Sequence, residues 1–475
     1  MDPRRENIKR CIVLLLSFID VALLSATYAW FWFTRLYSTV RMRRFTVNGV
    51  IYYAEGLKFY VRGHILILFI YFILLLFFLS TYGGLKIGYL KAMDLFFSQI
   101  FALLMVNVIT YFQISLMRNW VSEVSPYLLL TAIQLIVTLL WILAADAIYK
   151  RIFPPRRLML VHGSHPSEEI IMKFSTRRDK YIIGSLADIS MGVDAVKKLY
   201  DEGSYDAMVI WDVPTAERNL LLKYCYGRNI RIYTSPKISD VLVRGSEQMH
   251  LFDTPIFLIR EQPIRIEQLF MKRIVDILFS VILIIVTSPV MLITAILVYC
   301  TDKGPVLYKQ VRCTKGMRRF KILKFRSMYT DAEKDGVARL ASKNDSRITP
   351  VGKVIRAVRI DELPQLFNIL KGDMSFIGPR PERPELIDEY VKIMPEFIFR
   401  TQVKAGLAGY AQVYGKYNTT PYDKLKLDLT YIENYSIWLD LKLMLLTLKI
   451  LFTPDATEGV EEGQLTAMHT DGETK

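Results

Sequence analysis

The stretch that decides the fold is IVDILFSVILIIVTSPVMLITAILVYC, residues 274–300. As a straight helix it would be about 40 Å long at roughly 1.5 Å per residue, enough to cross a bilayer. Ser288 and Pro289 interrupt it, and an interior proline removes one helical hydrogen bond and clashes with the preceding turn. Basic residues flank both ends: Lys272, Arg273 and Lys303. Because such cations are expected when both ends return to one membrane face, the pattern predicts a re-entrant helix over 274–300 that kinks at Ser288 and Pro289.

Four further apolar stretches precede this segment, at about 12–34, 64–82, 95–116 and 126–148. Each is close to the roughly 20 residues that cross a bilayer, which predicts a bundle of four transmembrane helices within residues 1–155. Four crossings return the chain to its starting side, and a fifth complete crossing would place everything after residue 300 on the opposite side of the membrane. Basic residues before the first and after the fourth stretch favour both ends inside, but the basic loop 35–63 opposes this orientation.

One acidic residue, Asp20, lies inside the first apolar stretch. An isolated carboxylate is costly there, so we expect it to face a polar partner in the bundle, with Asn107 and Gln134 as candidates. Interhelical hydrogen bonding is the favoured interpretation, and a transport or proton-relay role is the alternative.

The composition agrees with a membrane protein. Hydrophobic residues make up 52% of the 475 residues, which excludes a disordered chain, and the formal net charge is +15. A positive charge of this size is typical of chains that bind nucleic acid, anionic lipid or phosphorylated substrates, and charge alone does not choose among them. The four cysteines show no CxxC spacing, so neither a zinc site nor a disulfide framework is indicated.

Residues 156–262 show short apolar runs that alternate with polar helical stretches. The runs are Leu158–Val161, Tyr181–Ile183, Ala207–Trp211, Ile230–Tyr233 and Ile256–Ile259. This alternation predicts a Rossmann-like α/β domain with a mostly parallel sheet. The first turn reads VHGSHP and lacks the GxGxxG pattern, so a structural or regulatory domain is favoured over a nucleotide-binding one.

The stretch YKQVRCTKGMRRFKILKFRSM at 308–328 is strongly basic. A solvated or lipid-headgroup surface is one interpretation, and phosphate chemistry is the more specific one. No helix-turn-helix, zinc-finger or RNA-binding signature accompanies the charge, so no nucleic acid is expected as a partner.

The tetrapeptide Asp361-Glu362-Leu363-Pro364 resembles a helix start, with Asp361 as its cap. The helix dipole keeps acids ionised there, and free N–H groups can hold a phosphoryl oxygen. Two adjacent carboxylates can divide the chemistry, one attacking phosphorus while the other holds Mg²⁺. Arg356 lies upstream and Arg380 lies in a proline-rich GPRP loop, and both offer forked donors to phosphate oxygens.

An ordered set of motifs then follows through residues 263–457: the Ser288-Pro289 break, FKILKFRSM at 320–328, DELPQLFNILKGDMSFIGPRP at 361–381, GLAGYAQVYG at 406–415 and LDLK at 439–442. This set resembles the catalytic domain of monotopic polyprenyl-phosphate phosphoglycosyl transferases, the bacterial sugar transferase family. With the preceding helices and α/β domain, the whole chain is similar to the large members that start capsule, exopolysaccharide or O-antigen synthesis. Tyr410 and Ala405 stand where many relatives carry Trp and Pro.

The resemblance implies an α-rich (α+β) monotopic catalytic domain that transfers a sugar 1-phosphate from a UDP-sugar to polyprenyl phosphate, with release of UMP. It implies Asp361 as nucleophile and Glu362 as a Mg²⁺ ligand. Further positions that match family contacts to substrate are Lys324, Arg356, Arg380, Pro381 and Asp440. It also implies a bacterial inner-membrane location with the catalytic domain on the cytoplasmic face, and suggests a homodimer.

The C-terminal part of the chain contains two further predicted segments. Residues 438–452 are apolar with interspersed charges and too short to span comfortably, so they predict an interfacial helix. The polar, acidic tail 458–475 is predicted to be disordered. The rival function is a non-catalytic membrane sensor or scaffold whose α/β domain binds a nucleotide, and no motif identifies the sugar.

Overall fold

The computed structural model describes residues 3–48, 50–55, 58–118, 121–163, 168–260, 264–330, 347–415 and 419–451. The predicted tail 458–475 and the last residues of the predicted catalytic domain lie outside this part. Contacts divide the chain into two compact units, Met1–Ser235 and Pro236–Lys475.

The first unit begins with long apolar helices. Helix α1 runs on through a π-helical turn into α2, a β-hairpin follows, and three further long helices complete the set: α1 Pro3–Phe31, α2 Tyr37–Arg41, β1 Met42–Val47, β2 Val50–Glu55, α3 Val61–Tyr82, α4 Ala92–Arg118 and α5 Ser125–Ile152. Helix α1 packs on α3 and α5, and α4 packs on both of those helices as well. Each of the four predicted stretches lies in a helix that is long and apolar enough to cross a membrane.

Polar side chains pair inside these helices. Gln99 donates through Nε2 to Asp20 Oδ2 at 2.5 Å. The expectation that Asn107 or Gln134 partners Asp20 is therefore wrong. Those two amides bind each other at 2.9 Å, and Gln134 also donates to the Tyr71 hydroxyl, so they form a separate hydrogen-bonded group. Gln99 Nε2 also donates to the carbonyl of Gly84 at 2.9 Å, in the turn between α3 and α4. The apolar pattern of the sequence does not show that Gln99 faces Asp20.

The α/β part of this unit is a parallel sheet of four strands in the order β4-β3-β5-β6. Its elements are β3 Arg156–His162, α6 Glu168–Ser175, β4 Tyr181–Asp188, α7 Val193–Glu202, β5 Ala207–Trp211, α8 Thr215–Gly227 and β6 Arg231–Thr234. The central strands are apolar and buried on both faces, as in a sheet covered by helices. Four of the five predicted runs form this sheet.

The fifth predicted run, Ile256–Ile259, does not join that sheet. It belongs to β8 Thr254–Leu258, which pairs antiparallel with β7 Glu247–Leu251 in the second unit. Only Phe252 and Asp253 separate the two strands, and Phe252 adopts a positive φ of 56°. Because this two-residue turn pairs the run with its immediate neighbour, it is not available as a parallel strand.

The second unit is rich in helices, as predicted. Besides β7 and β8 it contains α9 Ile238–Gly245, α10 Ile266–Asp302, β9 Leu307–Cys313, β10 Arg319–Phe325, α11 Pro350–Ala357, α12 Gln365–Lys371, β11 Ser375–Ile377, α13 Pro384–Ile393, β12 Gly406–Ala408, α14 Tyr410–Tyr414, α15 Pro421–Glu433 and α16 Ile437–Leu451. Strands β9 and β10 form a hairpin, and β11 pairs parallel with β12. A single apolar core joins the hairpin to α12, α13, α15 and α16.

Helix α10 contains the predicted break but stays helical through it, with 37 residues in all. Pro289 lacks the N–H that would bond to the carbonyl of Ile285. The Ser288 hydroxyl donates to that carbonyl at 2.8 Å and so replaces the missing donor. The predicted kink and re-entrant path remain predictions.

Candidate active site

The acidic pair lies on a short 3₁₀ turn, Ile360–Glu362, between α11 and α12. Arg359 precedes it in the left-handed region with φ of 53° and so redirects the chain after α11. Helix α12 begins only at Gln365, with Pro364 at its cap position. The expectation that Asp361 caps this helix is therefore wrong, because the 3₁₀ turn separates the acid from the helix by three residues.

Glu362 is held by cations from three parts of the unit. The Lys324 ammonium on β10 lies 2.8 Å from Glu362 Oε1, the Arg380 guanidinium 3.5 Å from the same oxygen, and Arg359 Nη1 3.9 Å from Oε2. Burial opposes ionisation of Glu362, but Lys324, Arg380 and Arg359 together hold its pKa well below the usual range. Glu362 is therefore a fixed negative charge.

Asp361 beside it has the opposite character. Its side chain is buried, and burial together with the charge of Glu362 raises the pKa of Asp361 to about 6, although Lys324, Arg356 and Arg359 oppose the shift. Burial and the neighbouring carboxylate, and not a helix dipole, dominate the direction of this pKa shift. A carboxylate with a pKa near 6 is ionised at neutral pH and more basic than an ordinary aspartate, as suits a nucleophile.

Arg356 stands at the end of α11, near Asp361. Its Nη1 is buried and has no hydrogen-bond partner among the described residues. An unpaired buried guanidinium donor is costly, and a phosphate oxygen would satisfy it. The structure thus brings together five of the predicted residues: Asp361, Glu362, Lys324, Arg356 and Arg380.

The GPRP loop that carries Arg380 is fixed by backbone pairing. Gly378 N–H donates to the carbonyl of Ala408, and Gly406 N–H donates to the carbonyl of Pro379, both at 2.9 Å. The two backbone segments lie so close that a Cβ on Gly378 or Gly406 would overlap backbone atoms of the opposite segment. Glycine is required at both positions for this approach.

Two arginines that the sequence analysis did not single out as site residues hold the same loop from beneath. Arg400 Nη2 donates to the carbonyl of Arg380 at 3.0 Å, and Arg312 Nη1 donates to the carbonyl of Pro381 at 3.2 Å. Arg400 is itself paired with buried Asp428 at 2.8 Å. The predicted residue Pro381 therefore contributes a buried, hydrogen-bonded backbone to the loop.

Asp440 does not join the acidic pair. Its Oδ2 lies 2.6 Å from the Lys272 ammonium, and its Oδ1 accepts a hydrogen bond from the Tyr431 hydroxyl at 2.8 Å. Lys272 also donates to the carbonyl of Ile377, which immediately precedes the GPRP loop. With both oxygens engaged and the side chain buried, Asp440 supports this loop instead of offering a free oxygen to a substrate.

We expect Gly406→Ala to disrupt the close backbone pairing between the segments that contain Gly378 and Gly406. The new Cβ would overlap the backbone of Gly378 and Ala408, and neither can move without breaking the β11–β12 pairing. Backbone overlap of this kind costs about 3 kcal/mol or more, measurable as a loss of free energy of unfolding. The matched control is Gly227→Ala, whose Cβ meets open space. Equal stabilities of the two variants would contradict the close approach.

The donor set bears on a metal ion. Among the described residues, no group of three or more His, Cys, Asp or Glu side chains is arranged to hold one. Mg²⁺ is commonly bound by only one or two carboxylates together with substrate phosphates and water. As a single carboxylate beside cations that would bind phosphate, Glu362 fits that kind of ion, one that enters with a diphosphate.

The site therefore combines an acidic pair, clustered cations for phosphate and an apolar helix, the features of a membrane-associated phosphate-transfer protein. Residues 267–454 match the family described as bacterial sugar transferase. The chain is 41% identical over 255 residues to the UDP-N-acetylgalactosamine-undecaprenyl-phosphate N-acetylgalactosaminephosphotransferase of Aeromonas hydrophila, covering 52% of this chain and 59% of that protein. It is 40% identical over 217 residues to the UDP-glucose:undecaprenyl-phosphate glucose-1-phosphate transferase of Klebsiella pneumoniae, covering 45% and 46%.

A further relative has the same activity name. The UDP-glucose:undecaprenyl-phosphate glucose-1-phosphate transferase of Caulobacter vibrioides is 39% identical over 189 residues, which cover 39% of this chain and 70% of that protein. The chain belongs to the bacterial sugar transferase family. Its matched part spans about half the length of the first two relatives, 59% and 46%. The apolar helices and the family together make it a membrane protein.

Proposed function

We propose that this protein transfers a sugar 1-phosphate from a UDP-sugar to polyprenyl phosphate, such as undecaprenyl phosphate, and so starts a surface polysaccharide. The observation that carries the proposal is buried Asp361, with its raised pKa, beside Glu362, whose pKa is lowered by the surrounding cations. The names of the relatives support the substrate class. They differ in the sugar, so several sugars remain candidates.

The reaction proceeds in two displacements at one phosphorus atom. The Asp361 carboxylate attacks the β-phosphorus of the UDP-sugar, an Asp361 oxygen–phosphorus bond forms, and the bond to the bridging oxygen breaks as UMP leaves with its electron pair. A phosphate oxygen of the polyprenyl phosphate then attacks the same phosphorus and releases the carboxylate. No water is consumed, and a soluble donor and a lipid acceptor use one site in turn.

The cations divide the remaining work. Lys324 and Arg380 hold Glu362 and face the charge that develops on the phosphate oxygens, and Arg356 offers its unused donor. When bound, Mg²⁺ supplies charge neutralisation of the diphosphate, and Glu362 would hold it.

We further propose that α10 dips into one leaflet and returns, placing the site at the cytoplasmic membrane surface. Ile284 before the proline packs on the main core, while Met291 and Val298 after it pack on Phe325 and Ile355 of the same unit. A crossing helix would have about 30 Å of hydrocarbon between its ends, and a folded unit with so many charges would contact only one of them. Packing on both sides of Pro289 therefore supports a re-entrant path.

The testing experiment is isotope exchange without acceptor. Labelled UMP should enter UDP-sugar when the purified full chain is incubated with Mg²⁺ and no polyprenyl phosphate, because the first displacement is reversible. A panel of UDP-sugars identifies the donor in the same assay. Exchange that requires the lipid acceptor would overturn the covalent route. Absence of both exchange and transfer with every donor would favour the sensor or scaffold alternative, which no comparison supports.

The pH dependence of the first displacement on the acidic side should reflect the protonation of Asp361. In single-turnover UMP release without acceptor, we expect the rate constant at low donor concentration to fall about tenfold per pH unit below about 6, because only the carboxylate attacks. Glu362→Gln removes the neighbouring negative charge that raises this pKa, so the acid limb of the pH profile should move to lower pH while the plateau rate falls. An acid limb that stays in place in Glu362→Gln would contradict the coupling of the two acids.

A further inference from the structure

Five cations lie near one another at one end of the helices of the first unit and form what we call the basic cluster: Lys9, Arg156, Arg177, Lys180 and Arg231. They come from α1, from the first and last strands of the parallel sheet in chain order, and from the turn between α6 and β4. Elements distant in sequence thus bring like charges together, which is unfavourable unless negative charge is supplied.

The basic cluster lies where the apolar helices end. The Lys9 ammonium is 5.2 Å from the ring centroid of Tyr149, in the last turns of α5. The Lys180 ammonium is 4.7 Å from the ring centroid of Tyr89, in the loop between α3 and α4. Aromatic rings and lysines at the ends of apolar helices mark the level of lipid headgroups.

The cluster has fewer acceptors than donors. Arg156 Nη2 and Arg231 Nη2 share a single carboxylate oxygen, Glu6 Oε2, at 3.1 and 2.7 Å. Arg156 Nη1 also donates to the Tyr233 hydroxyl at 3.3 Å. The side chains of Arg156, Arg231 and Glu6 are 15 to 27% exposed, so the group is open on one side to a ligand.

The other cations repeat this sharing. Arg177 Nη1 and Lys180 Nζ both donate to the carbonyl of Tyr89, at 2.6 and 2.8 Å, and Arg177 also pairs with Asp179. Among the described residues, the Lys9 ammonium contacts aromatic rings and no hydrogen-bond acceptor. Donor capacity is therefore left over at the membrane boundary.

The pKa of Lys180 agrees with the shortage of hydrogen-bond acceptors in the basic cluster. Burial and the neighbouring Arg177 lower the pKa of Lys180 to about 8, with Lys9 and Arg156 adding to the shift against Asp179. Beyond the effect of burial, the neighbouring cations therefore repel the charge of Lys180, and an added anion would relieve this repulsion.

We propose that the basic cluster binds the phosphate of an anionic phospholipid headgroup and thereby fixes the α/β domain to the cytoplasmic leaflet. A lipid is favoured over a soluble anion because the cluster lies at the ends of apolar helices, beside Tyr89, which is 64% exposed. Phosphate oxygens would supply the missing acceptors for Lys9 and for the shared arginines.

The test is thermal unfolding of the delipidated full chain in neutral detergent, with phosphatidylglycerol added. We expect a saturable rise in Tm of about 4 °C or more, and no rise with phosphatidylcholine. Lys9→Gln and Lys180→Gln should each lose at least half of the rise, while the control Lys197→Gln/Lys198→Gln, on α7, should keep it. Without lipid, Lys9→Gln should unfold at the same or a higher temperature, since it removes a repelled charge.

Three outcomes would overturn the proposal. An equal rise in Tm with phosphatidylcholine would show that the protein does not recognise the negative charge of the headgroup. An equal rise with inorganic phosphate or glycerol phosphate at matched concentration would assign the cluster to a soluble anion. A full rise in both Lys9→Gln and Lys180→Gln would remove the basic cluster from lipid binding.

Discussion

Asp361→Asn is expected to lower sugar-phosphate transfer by about 10⁴-fold or more, the scale on which loss of a covalent nucleophile acts. UMP exchange without acceptor should disappear as well, because no oxygen anion remains to attack phosphorus. The measurement is labelled transfer to polyprenyl phosphate, together with exchange, in the full-length protein. The control is Asp388→Asn, an exposed acid on α13 of the same unit, which should keep wild-type rates.

The same substitution should not weaken the fold. The folded pKa of Asp361 lies near 6, above its usual 3.8, so ionisation is less favourable in the folded state and stability is lost as the pH rises through this interval. At pH 7.5 the neutral amide should therefore leave Tm unchanged or raise it. Lost transfer with a lowered Tm would point to a structural role, and retained transfer would remove Asp361 from the chemistry.

The fold was accessible from sequence where the signal is local. Runs of about 20 apolar residues predicted the four helices of the first unit, and alternation predicted strands β3 to β6. The acidic pair and its cations could be named because Asp361, Glu362 and Arg380 lie in contiguous motifs. Ile256–Ile259 was misassigned because a short apolar run carries no information on which strand it pairs with.

The buried ion pairs that hold the loops of the site could not be predicted from the sequence. Arg400 and Asp428 meet across 28 residues, and Lys272 and Asp440 across 168. Neither pair has a spacing that distinguishes it from solvated surface charge. Only the packed core shows that these charges are buried, and the left-handed Arg359, which separates the acidic pair from α11, carries no sequence signal either.

The buried pair of Lys272 and Asp440 gives the second large effect. Their side chains are 8% and 6% exposed and lie 2.6 Å apart. Asp440→Ala would leave the Lys272 ammonium buried with only neutral acceptors, the Ile377 carbonyl and the Tyr431 hydroxyl. Losing one partner of such a pair costs about 3–5 kcal/mol. We expect Tm to fall by roughly 10 °C, and transfer to fall as the segment after Ile377 loosens.

A double variant separates stability from positioning. Lys272→Met/Asp440→Ala removes both buried charges, so most of the lost Tm should return. Transfer should stay below the wild-type level, because the Ile377 carbonyl has lost its ammonium donor, one of the contacts that hold the GPRP loop with Arg380. Lys442→Met, an exposed cation on α16, is the control and should change neither quantity. If Asp440 instead contacted the UDP-sugar, Asp440→Ala would raise KM for the UDP-sugar at unchanged Tm. That result would show that the ion pair of Lys272 and Asp440 does not order the GPRP loop.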